Sequence, residues 1–404
     1  MRKIDLNNFQ VARSETARDI NRRIVLNLIR KNQPISRASL ARRSGLQRST
    51  VSAITEQLIE QRWVSEGAVG HVPRGRKPTF LNLNSDRFGI IGVDIRSDTT
   101  HLAVASLDAR FIAQESIPTS NNPEEFIVRL GRRITDLMRA HPRSSYEGIG
   151  VSIPGRIDAQ TNRIVFAPSL GWGEVDIKTP LERATGLNVE LENAANACAL
   201  AELWSGRHSE GVRNLAVVAV SDGIGVGMII NGQLVKGTTG VAGEFGHVSL
   251  VENGIQCRCG NHGCWETLAS NMAAVRYYTE SASHRSKGDV GSKSDMAQIT
   301  FDDLLRLHEQ GDPKAQRAVA QMAQQLGAGL AMLISGLAPD ALIVVGEVTR
   351  AWDRIGPMVE AAVKARAFTH ASTRILATDP ELQPRLKGTI ALVLQQHFGA
   401  PFFV

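Results

Sequence analysis

The sequence predicts an α/β protein in two parts, a small helical module with a β-hairpin followed by a duplicated α/β body of two lobes. Three observations predict it. Residues 12–62 hold three apolar runs at helical spacing, with a glycine turn between the second and third. From residue 87 the pattern changes to short apolar strands alternating with helices, and a strand followed by a glycine turn opens the pattern near 88 and again near 214. Charge is divided the same way: residues 1–83 carry 16 Lys and Arg against 6 Asp and Glu, and the remainder carries 30 against 34.

A chain of 404 residues is too long for one hydrophobic core. Its 43% hydrophobic and 21% charged residues are ordinary for a globular protein. No apolar run approaches the ~20 residues of a membrane helix, and the first residues have neither the apolar core nor the cleavage site of a secretory signal. Four cysteines, three of them close-set, fit a reducing compartment. The expected location is therefore the cytoplasm, with no membrane partner.

Residues 12–31 read as a helix with Ile20, Ile24, Val25, Leu28 and Ile29 on one face, ended by Pro34. A short helix at 36–44 starts on Ser36 and buries Leu40 and Ala41, and Gly45 turns the chain into a helix over 47–62 that buries Val51, Ile54, Leu58 and Ile59. Helix, glycine turn, helix is the helix-turn-helix unit, whose second helix enters a major groove. Its first residues, Gln47, Arg48, Ser49, Thr50 and Ser52, are short polar or basic types that meet phosphates and base edges, and Arg37, which opens the preceding helix, is expected to join them on DNA. Strands at 63–69 and 78–83 enclose a basic tip with Arg74, Arg76 and Lys77, which is the pattern of a wing. Residues 1–83 thus read as a winged helix-turn-helix bound to double-stranded DNA.

In the body, strands are expected at 88–95, 100–107, 110–117, 148–155 and 187–191, with helices at 123–140 and 194–204. The second half opens with strands at 214–220 and 223–230, continues with an exposed loop at 281–293, a helix over 301–337 and a buried strand at 341–346, and closes with a helix at 388–397. The expected domains are 1–83, a first lobe 87–205 joined by the C-terminal helix 388–404, and a second lobe 206–387.

Cys257, Cys259 and Cys264 fall in one glycine-rich stretch. With His247 or His262 they make a four-ligand tetrahedral set for Zn²⁺, and a closed set is structural. Glu244 and Glu266 bracket this knuckle, and a closed metal site holds them in fixed places.

These residues carry a resemblance. Gly-Glu-Phe-Gly-His247 followed by Cys-Arg-Cys-Gly-Asn-His-Gly-Cys-Trp-Glu266 resembles the G-E-x-G-H and C-x-C-G-x-x-G-C-x-E motifs of the ROK family (repressors, open reading frames and sugar kinases). The match to its transcriptional regulators runs nearly end to end. It implies a two-lobed ribonuclease H-like body of the actin/sugar-kinase type. It implies zinc on His247, Cys257, Cys259 and Cys264, with Glu244, His247 and Glu266 toward sugar hydroxyls, which carboxylates accept well.

The kinase parts of the resemblance break down. Where family kinases carry the catalytic Asp of N-D-x-N, this chain has Ala194, while Asn193 and Asn196 remain to bind hydroxyls. Arg96 and Ser97 replace two glycines of the first phosphate loop, Asp222 puts an acid in the second, and Glu347 follows Gly346 in place of a second glycine. Four departures in separate places predict that catalysis is gone. Arg96 is expected to fill the vacated site or pair with Asp94 or Asp98, the other reading being a seat for a sugar phosphate. The sequence therefore predicts a sugar-responsive regulator, in the first instance a repressor, acting as a homodimer or homotetramer on a pseudo-palindromic operator. The alternatives are an ATP-dependent sugar kinase fused to a DNA-binding domain, and a regulator whose body binds a protein. Ser169 stands where many family members have Asn, so the identity of the sugar is left open.

Overall fold

The computed structural model describes residues 14–69, 77–158, 160–205, 212–283, 299–367 and 372–399. The N-terminal module runs α1 (Ser14–Asn32), β1 (Ile35–Ser36), α2 (Arg37–Ser44), α3 (Arg48–Glu60), β2 (Val64–Val69) and β3 (Thr79–Leu83). Ser36 Oγ accepts from the Ser39 amide at the start of α2, and Gly45 ends that helix at φ 72°. The strands form one sheet in the order β1-β3-β2. The tip between β2 and β3 lies outside the described residues, and with it Arg74 and Arg76.

The body contains β4 (Phe88–Ile95), β5 (Thr99–Ala105), β6 (Phe111–Pro118), α4 (Pro123–Ala140), β7 (Ser145–Ile153), β8 (Arg156–Ile157), β9 (Ile164–Phe166), α5 (Lys178–Thr185), β10 (Val189–Asn193) and α6 (Ala194–Ser205). It continues with β11 (Leu215–Val220), β12 (Ile224–Ile230), β13 (Gln233–Leu234), α7 (Trp265–Ala269), α8 (Asn271–Ser283), α9 (Phe301–Glu309), α10 (Pro313–Leu337), β14 (Ala341–Gly346), α11 (Trp352–Lys364), β15 (Arg374–Ala377) and α12 (Pro384–Phe398). The two large sheets have the orders β6-β5-β4-β7-β10 and β13-β12-β11-β14-β15. In each, the first strand pairs antiparallel with the second and parallel with the fourth. This common order is the physical form of the duplication read from the sequence. No helix among the described residues is long and apolar enough to cross a membrane.

Three expectations need correction. The continuous helix over 301–337 is two helices, because Asp312 caps a new start with its carboxylate on the Lys314 and Ala315 amides and Pro313 stands in its first turn. The closing helix begins at Pro384, one turn earlier than expected. On α1, Leu26 is fully buried while Ile24 is 38% exposed, because this helix packs on the body as well as on its own module. The expected loop at 281–293 falls mainly outside the described residues.

The module is not a bead on a string. Val25, Leu26, Ile29 and Leu83 share one apolar cluster with Phe88, Ile90, Val393 and Phe398 of the body. Trp63 stacks on Phe88 with ring centroids 4.8 Å apart. Asn27 Nδ2 donates to the Phe398 carbonyl at 2.6 Å and Arg23 Nη1 to that of Gly399 at 2.8 Å, so α1 satisfies the last carbonyls of α12.

His397 sits in this joint, its ring 4.8 Å from Trp63 and its Nε2 3.3 Å from the Glu147 carboxylate. Burial, with Arg22 and Arg23 nearby, lowers its pKa from 6.5 to about 4, and burial raises that of Glu147. The folded protein therefore refuses a proton that the unfolded chain accepts, and stability contributed by a neutral His397 is lost as pH falls from about 6.5 to about 4. Melting curves should show His397→Gln losing less stability than wild type across that window, by roughly 1–3 kcal/mol.

Candidate functional site

The site is assembled on the second lobe. Gly243, at φ 98°, leads into a single 3₁₀ turn, Glu244–His247, which lies against β12. A Cβ on Gly243 would sit 2.1 Å from the Val226 carbonyl oxygen, and one on Gly246 would sit 2.0 Å from that of Ile224. Only glycine lets the turn lie this close, and the contact fixes Glu244 and His247 over the sheet.

The knuckle follows. Gly263, at φ 66°, would place a Cβ 1.8 Å from the Val251 carbonyl oxygen. Backbone bonds from Cys257 to Asn261 and from Gly260 to Cys257 close the tight loop. His247, Cys257, Cys259 and Cys264 bring their donor atoms within 4.8 Å of one another. Cys257 Sγ is 3.5 Å from His247 Nδ1, and the sulfurs of Cys259 and Cys264 are 3.7 Å apart. A tetrahedral zinc set with ordinary bond lengths has edges of about 3.5 Å between sulfur and nitrogen and about 3.8 Å between sulfurs. The donor set thus fits that ion, with His247 rather than the exposed His262 in the fourth place. The backbone oxygen of His262 instead accepts from the Ser249 hydroxyl.

Trp265, next to Cys264, is fully buried, donates from Nε1 to the Gln325 carbonyl at 3.0 Å, and lies where a side chain on Gly329 would be. This anchor pins the knuckle to α10 and sets Glu266 on the first turn of α7. One Glu266 oxygen accepts from the Cys257 thiol at 2.9 Å and lies 3.5 Å from His247 Nδ1, and the other is 3.4 Å from the Ile224 amide. Glu244 reaches His247 Nε2 at 3.6 Å, and burial raises its pKa against the opposing pull of His247. Glu244, His247 and Glu266 are thus brought into one cluster.

Asn193 and Asn196 stand on the first lobe at the start of α6. Asn193 Oδ1 accepts from the Asn196 amide at 2.8 Å, and Asn196 Nδ2 donates to Glu192 Oε1 at 3.0 Å. Asn196 Oδ1 is buried without a hydrogen-bond partner. Both asparagines line a small cavity of about 40 Å³ with Asp158, Glu192, Lys236 and Gly240. Among the described residues no hydrogen bond joins them to Glu244 or Glu266. Lys236 comes from the segment leading into Glu244, so the cavity lies between the lobes. Its Nζ is 2.7 Å from Glu192 Oε2. Sequence reasoning missed both Glu192 and Lys236.

The first residue of α6 is Ala194, so no carboxylate stands at that position, and the acid before it, Glu192, is turned onto the Asn193 amide and Asn196 Nδ2. Below it, Arg96 Nε binds one oxygen of the buried Asp94 at 2.9 Å and Arg385 Nε binds the other at 2.9 Å. Arg96 pairs with Asp94, as the plainer of the two expectations had it, and Arg385 is a second partner that the sequence did not point to. Asp222 has its pKa raised by burial and by Glu347, so carboxylates crowd this end of the cleft.

In the module, Gln47, Arg48 and Ser49 are exposed, Thr50 and Ser52 are half-buried, and Lys77 is exposed at the edge of the wing. Arg37 Nη1 lies 2.9 Å from the Glu66 carboxylate and its Nε donates to Thr55 Oγ1 at 3.1 Å.

A winged helix-turn-helix carried on a two-lobed body of sugar-kinase type, with a thiol-rich knuckle beside the cleft, defines the class. A ROK family profile matches residues 90–396 and a winged helix-turn-helix DNA-binding profile matches residues 18–65. The chain belongs to the ROK family. It is 30% identical to the xylose repressor of Bacillus subtilis over 95% of each chain. It is 27% identical to the DNA-binding transcriptional dual regulator NagC of Escherichia coli, over 95% of this chain and 94% of that one. Its fold matches that of a ROK family transcriptional regulator, a homolog of the E. coli MLC protein, with a TM-score of 0.81 at 24% identity, covering 95% of this chain and 98% of the other.

Burial raises the pKa of the Cys257 and Cys264 thiols. Metal binding must displace those protons, so zinc uptake should release protons and tighten as pH rises, as competition with a chelator would show. Cys264→Ser should abolish stoichiometric uptake, whereas Glu266→Ala, which keeps all four donors, should retain it.

Proposed function

We propose that this chain is a sugar-responsive transcriptional repressor with a structural zinc and a body that no longer transfers phosphate. The observation that carries the reading is the pairing of an intact polar cluster, Glu244, His247 and Glu266, with Ala194 in the first position of α6, a side chain that cannot accept a proton. Sugar hydroxyls need acceptors, and phosphoryl transfer to them needs a base as well. The first requirement is met. The second is not.

Further support comes from the nucleotide side of the cleft. Asp94, which is fully buried, is already held by two guanidinium groups, and Asp222 and Glu347 face the same region. Bringing in a polyphosphate would require breaking this arrangement against carboxylate repulsion. The relatives named for xylose and for dual regulation point to the same class of function. Zinc on His247, Cys257, Cys259 and Cys264 would hold the knuckle closed and keep Glu266 in place, with no open position for a reacting water.

On DNA, the proposed contacts are Gln47, Arg48, Ser49, Thr50 and Ser52 at the start of α3, with the wing basic residues Arg74, Arg76 and Lys77 on the backbone or minor groove. Arg37, neutralised by Glu66, positions α3 against β2. The chain acts as a homodimer or homotetramer, so that two modules read two half-sites of a pseudo-palindrome. Sugar acts by favouring one arrangement of the lobes, and because the module shares a core with the first lobe, that lobe carries the module with it.

Gel shifts on the promoter region of the chain's own gene, across a monosaccharide panel including xylose and N-acetylglucosamine, test the reading. Wild type should release DNA with at least one sugar, and Glu266→Ala should need roughly tenfold more of it or more. No response to any sugar, with Glu266→Ala matching wild type, rejects sugar control. Arg48→Ala should weaken binding and reduce the salt slope by about one. Turnover of ATP and sugar at ordinary enzyme rates would overturn the non-catalytic reading.

A further inference from the structure

We propose that Lys236 and Trp204 are positioning residues at the two ends of α6, through which the opening of the cleft reaches the winged module. The inference rests on the repressor reading for its purpose, although the geometry that carries it stands apart from any sugar.

At the cleft end, Lys236 of the second lobe binds Glu192 of the first at 2.7 Å. Glu192 has a side chain only 6% exposed, and it precedes α6 by a single residue, Asn193. Its other oxygen accepts from Asn196 Nδ2 in the first turn of that helix and from the Asn193 amide. The ion pair between lobes is thereby fastened to the start of α6.

Along its length α6 is gripped by both halves of the molecule. On the second lobe, a Cβ on Gly227 would lie 2.4 Å from the Ala195 carbonyl oxygen and one on Gly225 2.9 Å from Ala195 Cβ. On the other side, a Cβ on Gly388 of α12 would lie 1.9 Å from the Ala197 carbonyl oxygen. Thr378, just after β15, donates to the buried Glu202 carboxylate of α6. Contacts this close transmit displacement rather than absorb it.

At the far end, Trp204 meets Phe398 edge-on at 5.8 Å, and the guanidinium of Arg30 from α1 lies 4.5 Å over the Trp204 ring and 5.6 Å over that of Phe398. Arg30 Nε is buried without a hydrogen-bond partner, and burial lowers the pKa of this group. Among the described residues no acid forms an ion pair with it. A half-buried cation stabilised by ring faces depends on where those faces stand, so a shift of α6 changes the hold on α1 directly.

Removing Lys236 leaves Glu192 buried without its counter-charge, and parting of the lobes to admit water relieves that cost. Lys236→Ala therefore acts as an opened cleft without any ligand. The experiment is hydrogen exchange on the full-length chain in four forms: wild type, Lys236→Ala, Trp204→Leu and the double variant. Melting curves confirm that each is folded. Lys236→Ala should speed exchange of α1 amides roughly two- to thirtyfold, and in the Trp204→Leu background it should add less than about twofold. Lys236→Arg should match wild type, Trp204→Phe should restore the coupling, and α4 amides should be unmoved in every form, which separates coupling from general loosening. Arg30→Gln breaks the same contact from the module side and decides the matter if Trp204→Leu does not fold. An α1 indifferent to Lys236→Ala, or equally affected in both backgrounds, overturns the proposal. Because neither sugar nor operator is used, that outcome leaves sugar control to be judged on its own test.

Discussion

Gly225 and Gly227 have no side chains in the place where Ala195 of α6 lies, and Gly388 leaves the same room for Ala197 on the opposite side. That helix is the constraint on which the rest of the molecule depends. It follows the last strand of the first sheet, lies against the first strands of the second sheet, and packs along α12. With close contacts on both flanks, the lobes cannot rearrange without α6 taking part. Its first turn carries the asparagines of the cleft, and its last turn carries the tryptophan that meets the winged module.

The thiol-rich knuckle plays a different part. Four donor atoms within 4.8 Å of one another suit a metal ion, which would take the place of the hydrophobic core that a loop of this size cannot build. The fully buried Trp265 ties the loop to α10, where Gly329 makes room for its ring. The carboxylate of Glu266 is therefore held from two sides, by the ligand set through Cys257 and by the α7 turn. Fixed acceptors suit hydroxyl recognition because little side-chain freedom remains to be lost on binding.

On the proposed reading the cleft keeps the shape of a catalytic body without its chemistry, and Ala194 at the start of α6 offers no proton acceptor. Two arginines turn Asp94 into a buried ion cluster that ties β4 to the start of α12. Arg385 also donates to the Ile95 carbonyl at 2.9 Å, so the cluster braces the cleft floor. The same α12 then runs to the module, where its final carbonyls are capped by Arg23 and Asn27.

Much of this was written locally and could be read in one dimension. The knuckle lies in one short stretch, the helix-turn-helix follows from a serine cap, a glycine turn and apolar spacing, and the duplicated body shows as two openings of the same strand pattern. Glycine and proline signals also explain the break at Gly311 to Pro313, which the apolar run on either side had masked. Folding alone decided which distant charges would meet. Lys236 with Glu192, Asp94 with Arg385, and Arg30 with Trp204 and Phe398 join segments far apart in the chain. Periodicity tells which face of an element is apolar, as on α1, but not whether one neighbour or two will cover it. Partners across a cleft are set by how the two sheets stack around α6, and that information resides in the packing rather than in any local run of residues.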